Sequence, residues 1–447
     1  MPPPECLRRK NKKGGYPMAE YEDRERFIPF RKSEIVEMIC NDGKLNKKDQ
    51  EQFRDFAKIL ASLYHFEFHK KVEELKENYY PFNPDKDTKT KREYPPDVLR
   101  KCEENLVKGF TEILNDANYE QITEKEIEYA LEEESLFKIS LYVDFEDFSS
   151  YLLFFRGEVV KQVEIKKFFF KKETIEVPTY QRVAMLIKFK GKDYFKKKKR
   201  KILFEPGSMV IKLFKNIPKA DLEMLFPNTQ IKMKPKDKIL MGAPAILGAV
   251  PILLNKGVAL VLAIPVLFAV IALLIKGGDL SEIPPQQMGL LIGAGVALGA
   301  LGGYAWRQWD KFKNRKIQFM KALADNLYFK NLDNNAGVFH HIIDAAEEEE
   351  CKEAILGYYF LLMAGEKGLT EPALDDTIEE WFENQHQTLI DFEVDDALRK
   401  LKELKLCTVE DKGDPKKHIY RAKTLDQACE QLDYIWDNYF QYNQTLE

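Results

Sequence analysis

An α+β membrane protein is what this sequence predicts, and three observations carry the prediction. Two runs without a charged side chain, VALVLAIPVLFAVIALLI (258–275) and MGLLIGAGVALGALGGYAW (288–306), are each long enough for a helix to cross a hydrocarbon core of about 30 Å. Ahead of them, residues 137–238 take up a period of two and are rich in Val, Ile, Phe and Tyr, as an antiparallel sheet requires. On the outer flanks, apolar residues recur at helical spacing. The remainder is polar: 32% of the chain is charged. Mean hydropathy is −0.41, so the apolar pair is an island.

A helical N-terminal region is expected over 20–136. Phe53, Phe56, Ile59, Leu60, Leu63, Tyr64 and Phe68 make a 3.6-type stripe on a helix over 48–77. The turn-rich FNPDKDT (82–88) follows, then a helix over 96–114 and a short one over 123–133, where Thr123 and Glu126 fit a capping box.

The basic α+β domain, 137–238, holds four to six expected strands, among them YLLFFRG, VEIKKFFF and MVIKLFKNI. Between Phe189 and Phe204, the six basic residues Lys196, Lys197, Lys198, Lys199, Arg200 and Lys201 repel one another and predict a hairpin tip or exposed loop. PKADLEML is expected to form a helix that starts at Pro218 and stops at Pro227.

The membrane region is placed at 239–306, with spans at 258–275 and 288–306. The apolar stretch 239–254, broken by Pro244 and Pro251, is a third span, a re-entrant segment or the entry to the first span. Lysines at 232, 234, 236 and 238 precede the region, and Arg307, Lys311, Lys313, Arg315 and Lys316 follow it. An excess of Lys and Arg marks the cytoplasmic side, so both termini are expected there, with two crossings. Gly289, Gly293, Gly295, Gly299 and Gly303 recur at spacings that let helix backbones approach closely, against the first span or against another copy. A juxtamembrane helix is expected over 307–332.

The C-terminal section, 338–447, reads as helices over 353–363, 374–384 and 394–404, a hairpin around KGDPKK, and a last helix over 425–440. Three helices and a two-stranded wing are winged-helix-like. In a DNA reader the third helix enters the major groove, which needs a basic footprint. Here the section from 333 onward sums to −16, so nucleic acid is disfavoured and a protein partner or self-association is favoured.

Charge is strongly asymmetric elsewhere too. Residues 161–240 sum to +14 within a net charge of −4. A basic block next to a bilayer attracts anionic headgroups, so Lys196 to Lys201 are the lipid-contact candidates.

Catalytic signatures are sparse. No P-loop, GxSxG, HExxH or dinucleotide glycine fingerprint is present, and no cofactor is implied. His65 and His69 sit one helical turn apart, as a metal pair would, yet satisfied or surface histidines are the plainer reading. His340 and His341 adjoin the acidic run Glu347 to Glu350 without a convincing third ligand. Six cysteines are scattered with no CxxC pair, so buried thiols in a reducing compartment are expected.

RERFIPF (24–30), YPFNPDKDT (80–88) and above all VIKLFKNIPKADLEMLFPNTQIKM (210–233) are similar to the transmembrane protein 143 family, found in bacteria, plants, algae and animal mitochondria. The resemblance covers roughly 20–310 and implies an integral membrane protein with a domain of unknown function. It implies no activity and no catalytic residue. The N-terminus MPPPECLRRKNKKGG has no apolar core of a signal peptide and makes a poor mitochondrial presequence, so a bacterial cytoplasmic membrane is favoured over a mitochondrial inner membrane. The expected function is a non-enzymatic, membrane-anchored scaffold or adaptor, with anionic-lipid binding or sensing as the alternative and an enzyme with an unrecognised site behind both.

Overall fold

In the computed structural model the chain divides into two compact units, one made of 1–127, 146–219 and 331–447, the other of 128–145 and 220–330. The structure describes residues 24–127, 140–198, 202–232 and 284–440, except 124, 126, 168–170 and 203, together with 264–266, 268 and 270.

In the first unit the helices follow their apolar stripes. Helix α1 (Lys32–Asn41) buries Ile35, Val36, Ile39 and Cys40. Helix α2 (Lys47–Tyr79) is capped by Asn46, whose side chain accepts the Asp49 N–H at 3.0 Å. Its stripe from Phe53 and Phe56 through Leu60, Leu63, Tyr64 and Phe68 to Val72, Leu75 and Tyr79 is buried. Helix α3 (Pro96–Asp116) opens on proline, whose missing N–H costs nothing in a first turn, and buries Leu106, Phe110, Ile113 and Leu114.

A five-stranded antiparallel sheet completes the layer, in the order β1-β3-β4-β5-β7. Its strands are β1 (Glu120–Gln121), β3 (Phe148–Lys167), β4 (Lys171–Phe189), β5 (Met209–Pro218) and β7 (Asn331–Asn334). Strand β2 (Ser140–Tyr142) belongs to the other unit. Strands β3 and β4 form one long hairpin, in register from Ser150↔Lys188 to Lys167↔Lys171. Along β4, Val183 to Ile187 are buried without a break, so both faces of the central strand are covered there.

Of the loop expected over Lys196 to Lys201, 199–201 lie outside the described residues, and the first three residues belong instead to helix α4 (Lys192–Lys198). Its buried Phe195 meets Phe204, which stacks on Phe189 at 3.7 Å, and this apolar anchor outweighs the repulsion among the lysines.

Helix α6 (Ala336–Ala364) is the spine of this unit and is buried on nearly every face from Glu349 to Leu361. Helices α7 (Glu371–His386) and α8 (Val394–Glu403) pack beside it, followed by the hairpin β8 (Cys407–Glu410) with β9 (Ile419–Ala422) and by α9 (Leu425–Asp437). Leu369, between α6 and α7, bridges to Tyr420 of β9 through hydrogen bonds of 3.0 and 2.8 Å. The close approach of α6 and α8 depends on Gly357, where a Cβ would stand 3.2 Å from that of Ala397.

In the second unit, β2 pairs antiparallel with β6 (Gln230–Lys232). Asn228 Nδ2 donates to the Asp144 carbonyl at 2.7 Å, and Phe145 meets Phe226 edge-on. Where an α-helix is expected from Pro218 there is a tighter 3-10 turn, Lys219–Leu225. Helix α5 (Pro285–Lys330) is the long element of this unit.

The membrane assignment is corrected. Among the described residues no helix is long and apolar enough to cross a membrane. The expected first span, 258–275, lies outside the described residues except for 264–266, 268 and 270, and the segment 239–254 lies wholly outside them. The expected second span, 288–306, is the opening part of α5. The helix runs on without a break through Arg307, Asp310, Lys311 and Lys313 to Lys330. The two-helix transmembrane hairpin, the separate juxtamembrane helix and an integral location in a bacterial or mitochondrial membrane are therefore not supported.

Candidate functional site: a buried charge cluster on α6

Acidic residues at 347–350, then Lys352 and Glu353, fall within about two turns of α6, and the helix continues into AILGYYFLL. A helix that is apolar on all sides has no solvent face to offer. The charges one turn earlier are therefore carried inside with it: Glu349, Glu350, Lys352 and Glu353 are all at most 5% exposed.

Each buried charge needs a partner, since an isolated ion in a low-dielectric interior costs several kcal/mol. Lys352 Nζ donates to Glu349 Oε1 at 2.6 Å and to the Ile28 carbonyl at 2.8 Å. The other oxygen of Glu349 accepts the Ile28 N–H at 3.2 Å. Lys400, from α8, places its ammonium 2.5 Å from Glu353 and 2.9 Å from Glu350. Asn118, held at φ 56°, donates to Glu353 at 3.0 Å and to the Arg26 carbonyl at 3.2 Å.

The segment RERFIPF is stitched across this cluster. Arg24 bonds Glu379 at 2.8 Å and the Ile390 carbonyl at 3.0 Å, and Arg26 pairs with Glu393. Phe27 lies beneath the Arg156 guanidinium at 4.2 Å and the Lys352 ammonium at 5.0 Å. Ile28 is buried, and Phe30 stacks on Phe382. Beside the strap, a depression of about 200 Å³ is lined by Glu25, Phe27 and Pro29 with Gly157 and Gln181. Gly157 is required there: it has φ 69°, and a Cβ would meet the Gln181 side chain at 2.9 Å.

Counting partners leaves one carboxylate in excess. Glu349 has Lys352, and Glu393 has Arg26, but Glu350 must share Lys400 with Glu353. Burial pushes the Glu350 carboxyl up to about 8, against the pull of Lys400 and with the help of Glu353. Burial also raises Glu349 and Glu393. Burial alone would lower Lys400, yet Glu353, Glu350 and Asp396 overcome it and hold the ammonium well above its ordinary range. Glu350 Oε1 and the Tyr64 hydroxyl are buried without a hydrogen-bond partner, and Tyr64 lies in the field of Glu350.

Glu350, Glu353 and Asp396 can bring ligand oxygens within 4.8 Å of one another, close enough to hold a metal ion. The centre of that group already contains a cation, because Lys400 lies within 3.8 Å of all three. The donor set fits the chain's own ammonium. Buried Glu and Lys paired across α6 and α8 in this way fix the two helices to one another.

The residues singled out by sequence fall elsewhere. Lys196 and Lys197 are exposed on α4, whereas Lys198 is tied to Asp147 at 3.1 Å and to Glu146 at 3.7 Å. Lys199, Arg200 and Lys201 lie outside the described residues. On α5, a Cβ added at Gly289, Gly293, Gly295, Gly299 or Gly303 would meet nothing within 4 Å among the described residues, and the expected partner span lies largely outside them. His65 bonds Glu347 at 2.8 Å and His341 bonds Asp333 at 3.0 Å. Sequence reasoning missed Glu353, Lys352 and Lys400. The available signal was the wholly apolar run that follows the acidic one, which marks a helix buried on every side.

A protein family described as "Protein of unknown function (DUF3754)" matches residues 180–337. The match takes in β4 from Tyr180, β5 and α5, and it ends at the second residue of α6, before the charge cluster. No solved structure matches the chain.

Proposed function

We propose that the protein is a non-enzymatic scaffold or adaptor that works by presenting surfaces of its first unit to a protein partner. The observation that carries this reading is where the chemistry-bearing side chains go. The buried Glu and Lys of α6 and α8 are consumed by one another, while large aromatics stand at the surface: Tyr434 is 62% exposed, Trp436 47% and Phe440 64%. Exposed aromatics are the residues that anchor protein interfaces. The acidic C-terminal section, at −16, favours a protein over a nucleic acid. The likeness of 24–30, 80–88 and 210–233 to the transmembrane protein 143 family belongs to the same reading and supplies no activity. To test it, a photo-crosslinking amino acid is placed at exposed positions of the full chain in the cells that make it. Adducts to another protein are expected; cross-links confined to the chain itself would refute the reading.

A second reading, contact with anionic headgroups at a membrane surface, is favoured by the exposed Lys192, Lys196 and Lys197 on α4. Such contacts contribute ~1 kcal/mol per lysine and are screened by salt. The full chain should then sediment with phosphatidylglycerol vesicles at low salt, less so after Lys196→Gln with Lys197→Gln. Equal sedimentation of both would remove this reading.

A further inference from the structure

We propose that the face built by α9 and the middle of α2 is a docking surface for a basic, apolar-bearing helix of a partner protein. The inference rests on the adaptor reading and names the chemistry of the partner.

Phe66 of α2 is half-buried beneath three aromatics from the end of α9 and the residues that follow it. Its ring centroid lies 6.4 Å from Trp436, 4.6 Å from Tyr439 and 5.5 Å from Phe440, in each case edge-on. Interlocked rings form a stiff platform, with little side-chain entropy left to lose on binding. The platform nevertheless leaves Phe440 64% and Trp436 47% exposed. Apolar area left in water on a rigid support is area that a partner can cover.

Charge identifies the partner. Helix α9 carries Asp426, Glu430, Asp433 and Asp437 and no Lys, Arg or His. The four positions are spaced i, i+4, i+7 and i+11, which sets them in one stripe along the helix, and all four are exposed. Like charges one turn apart destabilise a helix by ~0.2–0.5 kcal/mol per pair. An acidic stripe alongside an aromatic platform is complementary to a helix with apolar anchors on one face and Lys or Arg beside them. On the α2 side, the Gln52 side-chain amide donates to Asp426.

The test uses the full chain and two fluorescein-labelled designed helices of equal length. One has leucine on one face and lysine on the other; its counterpart carries glutamate in place of lysine. The basic peptide should bind and the acidic one should not. Trp436→Ala with Phe440→Ala should weaken binding about tenfold or more, the size expected for losing aromatic anchors. Glu430→Gln with Asp433→Asn, which touches only exposed positions and leaves the core intact, should weaken binding several-fold and flatten its salt dependence. Equal binding of both peptides, or binding unchanged by the second pair of substitutions, would overturn the proposal. Self-association that disappears with the same substitutions would overturn it too, by making a second copy the occupant. Photo-crosslinking separates this inference from the reading beneath it: adducts formed away from position 436 and its neighbours sink the docking surface alone, whereas no intermolecular adduct anywhere sinks both.

Discussion

Glu350 shows how one residue can set the pH response of the first unit. Its carboxyl is buried, shares Lys400 with Glu353, and is pushed by burial from its ordinary 4.5 up to about 8. A folded pKa above the unfolded one means that the folded state binds the proton more tightly. The stability linked to this group is therefore fully present below about 4.5 and is lost as pH rises through about 8. Glu349 and Glu393, both raised by burial, act in the same direction. Glu350→Gln imitates the protonated carboxyl at every pH. Denaturant unfolding should find the variant close to wild type at pH 5 and more stable by roughly 2–4 kcal/mol at pH 9. A variant that loses stability at pH 9 would mean that the carboxylate, not the acid, is the form Lys400 requires.

Among the elements, those that advertise an apolar stripe or a cap were legible in the sequence. The α2 stripe is buried from Phe53 onward, and α7, expected over 374–384, runs Glu371–His386 because Thr370 caps it and Pro372 suits its first turn. Helix α6 was legible only in its apolar half. Sequence reasoning assigns Glu and Lys to solvent, and that assumption fails where a buried helix pairs its charges internally. The first half of the lysine run departs in the opposite sense: repulsion argued for an exposed loop, but Lys196 to Lys198 close a helix that Phe195 anchors, while 199–201 lie outside the described residues. The role of RERFIPF could not be read at all, since a seven-residue segment carries no period, and its partners Glu379, Glu393, Glu349 and Lys352 lie more than 300 positions away. The strap's hold is open to test. Arg26→Ala strands Glu393, a half-buried carboxylate, and should lower the stability of the unit by about 1–3 kcal/mol. Hydrogen exchange should quicken at Ile28, whose N–H bonds Glu349. Unchanged exchange there would show that the strap is held by Ile28 burial alone.

For the molecule as a whole, the proposed adaptor role implies a division of labour: the buried charges of α6 and α8 hold the first unit together, and the surface is left to meet the proposed partner. A buried ion triad can be replaced by apolar or neutral groups of similar size at little cost, often with a gain in stability, whereas removing one partner costs about 3–5 kcal/mol. Lys400→Met alone leaves Glu350 and Glu353 without their cation and is expected to fall in that range. The direct test is the triple variant Glu350→Leu, Glu353→Gln, Lys400→Met, in which Gln at 353 keeps an acceptor for Asn118. Its melting temperature and its photo-crosslinking to the partner are measured together. The account predicts a melting temperature at or above wild type and undiminished cross-linking. A triple variant that folds as stably as wild type but no longer captures its partner would place the function in the charge cluster itself and contradict the account.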